Sequence, residues 1–148
     1  MSMNLREKLK EAQKKSELKS IKELIITKTH LQEKDIICDD IKYQSIIDIS
    51  CDKLTLKKDC FDVLSERKYF ESFFSKDSDE EPVIFMVKTK SNVFFLSLPY
   101  LSIKNNLDFF WDEDRILSQS NDKIFINHSL SKGFIILMSE YGIETGLW

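Results

Sequence analysis

The side chains able to carry chemistry are few and scattered in this sequence. His30 and His128 are its two histidines, and Cys38, Cys51 and Cys60 its three cysteines. Such residues bind zinc when they are paired at short, regular spacing. His30, Cys38 and Cys51 lack that spacing, and no two cysteines form a CxxC. Neither a zinc site nor a disulfide framework is expected. Asp112-x-Asp114 offers oxygen ligands of the kind that hold a divalent cation, but no further ligand accompanies it. His128 precedes Ser129, and a hairpin through residues 129–133 would bring Glu140 near it. A carboxylate beside a histidine can orient a general base. No Gly-x-Ser-x-Gly turn presents a nucleophile to that pair. The three glycines stand at 133, 142 and 146, so there is no phosphate-cradling loop and no cofactor is implied.

The elements that must position these groups lie mostly in the second half of the chain. Short apolar runs at 83–89, 93–98, 123–128 and 134–141, divided by turn residues, predict strands of one sheet. Val83, Phe85 and Val87 alternate with Ile84 and Met86, and Phe94, Leu96 and Leu98 with Val93, Phe95 and Ser97. Apolar residues on both faces predict central strands with cover on each side. Ile41, Tyr43, Ser45, Ile47 and Ile49 repeat with period two, which predicts a further strand over 41–50. Leu56, Cys60, Val63, Leu64, Phe70, Phe73 and Phe74 make a broad helical stripe over 55–75, interrupted by Arg67. That helix should lie across the sheet, with Cys60 as a small buried hydrophobe. Leu5, Leu9 and Ala12 share one face of a charged helix over 4–15. The stripe breaks and resumes at Leu18, Ile21 and Ile25, which predicts a bend or a second helix near Ser16. The expectation is a single α+β domain over 1–148. An antiparallel sheet of about five strands packs against N-terminal and central helices, and residues 1–28 form a loosely docked helical segment.

Composition narrows the partners. The chain has 148 residues, enough to bury a core without metal or disulfide staples. Its net charge is −3, unevenly divided. Residues 1–28 hold eight Lys/Arg against four Glu, which leaves residues 29–148 with seven excess acids. An acidic body argues against a nucleic-acid partner, since phosphates need a positive surface. It suits a basic protein, although ordinary solvation accounts for any single charge run. No apolar run approaches the ~20 residues of a membrane span, and the N-terminus has no signal-peptide core. With an odd cysteine count, these features predict a reducing cytoplasm.

Residues Asp108 to Asp114 (DFFWDED) set three aromatics beside a run of acids. In size, in Lys/Ile/Phe-rich composition and in this stretch, the chain resembles the immunity proteins of bacterial contact-dependent and other polymorphic toxin systems. The resemblance implies stoichiometric neutralisation of a cognate toxin, commonly a basic nuclease. An acidic surface would speed encounter with such a partner. The expected contact surface is Trp111, Asp112, Glu113 and Asp114, with Asp77, Asp79, Glu80 and Glu81 second. Core packing is the competing role for the aromatics. Two rivals come from other classes: a small cytosolic enzyme working through His128 and Glu140, and a regulatory scaffold module binding through its N-terminal helix.

Overall fold

The computed structural model describes residues 4–38, 42–53, 55–57, 63–75, 81–112, 114–139 and 142–148. Short runs of β-branched, aromatic and other apolar residues make strands of β3 (Val83–Lys88), β4 (Val93–Leu98), β5 (Lys123–Asn127) and β6 (Gly133–Ser139). A further full strand, β7 (Gly142–Leu147), continues from them, and two short pieces, β1 (Ile37–Cys38) and β2 (Thr55–Lys57), close the edges. The sheet runs β1-β4-β3-β5-β6-β7-β2, with every neighbour antiparallel. The α+β class and the antiparallel sheet are as expected. Four of the expected strands are present, and β7 is a strand beyond those expected.

One register line carries the main core. Leu96 pairs with Phe85, Phe85 with Phe125, and Phe125 with Phe134. The row is roofed by α1 (Leu5–Thr29), α3 (Val63–Ser75), α4 (Tyr100–Lys104) and α5 (Leu107–Trp111). Phe70 of α3 is fully buried at the centre, 4.7 Å from the Phe125 ring and 5.2 Å from the Trp111 ring. Burying a side chain of that size contributes about 1.5–3 kcal/mol. Arg67, which interrupts the α3 stripe, reaches out to Asp108 on α5 and to Glu71 one turn along. Its hydrogen bonds to Asp108 and Glu71 push its already high pKa further up. The helix expected from residue 55 is described from Val63; residues 55–57 pair with β7 instead, and Cys60 lies outside the described residues.

The opposite face holds Ile84, Phe95, Ile124, Ile126 and Ile135. Its cover is α2 (Tyr43–Lys53), which overturns the strand expected over 41–50. Tyr43, Ile46, Ile47 and Ser50 also lie at i, i+3, i+4 and i+7, the spacing of one helix face. Ile46, out of step with the period-two residues, is completely buried against this face, and the Tyr43 ring meets Phe95 edge-on at 5.1 Å.

α1 is one uninterrupted helix of 25 residues, without the bend expected near Ser16. Asn4 accepts the Glu7 N–H at 2.9 Å while the Glu7 carboxylate takes the Asn4 N–H at 3.3 Å, a reciprocal cap. His30 ends it in the left-handed region (φ 61°), its N–H donating to the Ile26 carbonyl at 2.8 Å. Only Ile21 and Ile25 of this helix are buried.

Candidate functional site

The stretch expected to contact a partner is built around a single carboxylate. α5 ends at Asp112, which takes a left-handed conformation (φ 56°). Asp112 Oδ1 accepts the N–H groups of Ile116 and Leu117 at 2.7 and 2.9 Å. Its Oδ2 accepts the Ser118 N–H at 2.7 Å, and its carbonyl takes the Arg115 N–H at 3.0 Å. Ser118 Oγ in turn accepts the Lys88 N–H at 3.0 Å, which ties the loop to β3. A carboxylate so used is an internal loop anchor, and it is only 6% exposed. Both Asp112 oxygens are engaged by backbone donors. Among the described residues no group of three His, Cys, Asp or Glu converges to hold a metal.

Trp111 is likewise turned inward. It is 2% exposed and packs on Phe70 and on Phe134, the latter at 6.4 Å. The Lys123 ammonium lies 5.1 Å from its ring centroid. Burial pushes the Lys123 pKa below its ordinary 10.5, against the opposing pull of Asp112 and Asp122. Of the four residues expected at the contact surface, Trp111 and Asp112 are therefore interior, Asp114 is exposed, and Glu113 lies outside the described residues.

What the anchored loop presents to solvent is Asp114, Arg115 and Ile116, the last 64% exposed. Arg115 and Ile116 escaped the sequence reading. Their one signal is that Ile116 is a large apolar residue in a polar stretch, outside any strand or helix stripe. Ile116 and Leu117 also form one wall of a cleft of about 280 Å³ whose other wall is α1, through Ser16, Glu17, Ser20 and Leu24. Glu17 bridges that wall to the β3–β4 turn, accepting from Thr89 Oγ1 at 2.9 Å and Asn92 Nδ2 at 2.5 Å.

The secondary acidic stretch is represented by Glu81 alone; Asp77, Asp79 and Glu80 lie outside the described residues. Glu81 accepts the Ser129 N–H at 3.0 Å and its hydroxyl at 3.3 Å, binding the β5–β6 turn to the start of β3. His128 is exposed in that turn; its N–H donates to the Pro82 carbonyl at 2.9 Å, and its carbonyl accepts from Lys42. Glu140, its expected partner, lies outside the described residues. Among the described residues no helix is long and apolar enough to cross a membrane. Comparisons with protein-family models, curated proteins and solved structures return no match.

Proposed function

We propose that this chain is a protein-binding module that neutralises a cognate partner stoichiometrically, in the manner of the immunity proteins of bacterial polymorphic toxin systems. The observation that carries the reading is the Asp112-anchored loop. Three backbone N–H groups bound to one buried carboxylate hold Asp114, Arg115 and Ile116 in a preset shape at the surface. A large exposed hydrophobe flanked by charges, on a loop that need not be ordered on binding, suits protein recognition. The seven excess acids of residues 29–148 suit a basic partner, a toxin nuclease among them, encountered in a reducing cytoplasm. The contact surface moves accordingly from Trp111 and Asp112 to Asp114, Arg115 and Ile116.

The test is a pull-down from the native cells at low salt, followed by mass spectrometry and a salt titration. One basic protein should be retained in stoichiometric amount and released as salt rises. The Asp114→Lys/Ile116→Asp chain should lose it while keeping the wild-type melting temperature, because both side chains are exposed. Recovery of no stable protein partner, or a partner that the double variant holds equally well, would remove the proposal.

A further inference from the structure

The first turns of α1 carry a second surface, one the core does not use. Every residue from Asn4 to Ser16 is exposed, Leu5 at 74% and Leu9 at 62%. These leucines do not continue the buried stripe. At about 100° per residue, Leu5 and Leu9 point roughly 160° away from Ile21 and Ile25. The break in the apolar pattern near Ser16 is thus a change of face on a straight helix. By the same angular count Ala12, Ser16 and Ser20 fall with the two leucines in one strip about 80° wide. Along the first three turns Lys8 and Lys15, with Lys19 beyond, flank the strip on one side, and Arg6 and Lys10 on the other. Glu17 falls on the Arg6 side at the cleft, held by Thr89 and Asn92, and Glu23 falls in the strip's arc beyond Ser20. Glu7 and Glu11 lie behind. The strip ends in the cleft between α1 and Ile116, whose lining adds Ser20, Leu24 and Gln119.

We propose that this rail docks an acidic, amphipathic helical segment of a partner protein. Its apolar face lies along Leu5 and Leu9, its carboxylates meet the flanking cations, and its end places an apolar side chain in the cleft beside Ile116. Charge complementarity selects that occupant. Cations on both sides of an apolar strip call for anionic groups on both sides of the strip they meet. A second copy meeting α1 with its own α1 would bring like charges together. Two leucines without an aromatic give a bilayer little to hold, and the hydroxyl and amide groups of the cleft suit a polypeptide better than a lipid surface. The proposal stands on α1 and shares only Ile116 with the toxin-neutralising reading; loss of binding in the Leu5→Ser/Leu9→Ser chain, which leaves Ile116 in place, tells the two apart.

The test uses the full chain and a fluorescein-labelled synthetic helical peptide with leucines at a and d heptad positions flanked by glutamates. Anisotropy titration should show saturable binding that weakens with salt and weakens at least about tenfold for the Leu5→Ser/Leu9→Ser chain. That variant should keep its circular dichroism and melting temperature, since both side chains are solvent-exposed. The Ile116 methyl signals should shift on binding. Absence of peptide binding overturns the proposal, including the case in which phosphatidylserine vesicles bind or the chain dimerises through α1 instead. Equal affinity for a scrambled peptide of the same composition overturns it too, as does equal affinity of the double variant.

Discussion

The Asp112 carboxylate accepts the Ser118 backbone N–H across six residues, at 2.7 Å, and takes two further N–H groups on its other oxygen. One side chain therefore holds residues 114–118, which belong to no helix or strand. Asp112→Ala strands those donors beside a buried site and is expected to cost about 2–4 kcal/mol, less whatever the loop recovers from water. Asp112→Asn keeps a carbonyl acceptor and should cost less. Urea denaturation gives the ranking, and hydrogen exchange at residues 116–118 gives the location. An alanine variant as stable as wild type would mean that the loop does not depend on this carboxylate.

Trp111 separates core from interface. With its ring on Phe70 and Phe134, Trp111→Ala is expected to cost about 3–5 kcal/mol of stability. A surface anchor would instead lose partner binding at unchanged melting temperature. Thermal unfolding of the isolated variant distinguishes the two without any partner in hand.

Lys123 should make stability depend on alkaline pH. Burial lowers its folded pKa below 10.5, the value it regains on unfolding. Between those two pH values the unfolded chain holds more protons, so stability rises with pH across that window. Below the folded pKa the cost of the buried charge is felt in full. Lys123→Met should remove this rise and leave stability at neutral pH equal or higher. Wild-type and variant denaturation curves between neutral pH and 10.5 test it: wild type should gain stability relative to the variant as pH increases.

The sequence made the sheet legible where short apolar runs are divided by turn residues, as in Val83–Lys88 and Val93–Leu98. It misled at Tyr43–Lys53, because Tyr43 and Ile47 satisfy both period two and a helical i, i+4 spacing. The sheet's second face decides between them, and that face exists only after folding. β7 was illegible for a related reason. Gly142–Leu147 has little strand propensity of its own and becomes a strand by pairing between β6 and β2. At the candidate site, residue types did not separate the buried Trp111 and Asp112 from the exposed Asp114. A tryptophan and an aspartate look alike in sequence whether they anchor a partner or a loop.

Gly133 is required by the C-terminal tryptophan. A Cβ added there would fall 2.3 Å from the Trp148 ring, and the two residues exchange backbone hydrogen bonds at 3.1 Å. Gly133→Ala is expected to cost about 1–3 kcal/mol by overpacking. In a Trp148→Ala background most of that cost should vanish. A double-mutant cycle measures the coupling directly, and additive effects would place the strain elsewhere.

The two faces of α1 predict opposite responses to the same substitution. Ile25 is completely buried under the sheet's main face, whereas Leu9 is 62% exposed on the far side of the helix. Ile25→Asp places an unpaired charge in the core and is expected to destabilise the fold by several kcal/mol, about 4 or more. Leu9→Asp should stay within about 0.5 kcal/mol of wild type. Paired thermal and urea denaturation of the two variants supplies the comparison. If Leu9→Asp proved as damaging as Ile25→Asp, the first turns of α1 would have to be packed against the domain in solution. If both proved neutral, α1 would contribute nothing to the core, and its buried isoleucines would have to be replaceable by water.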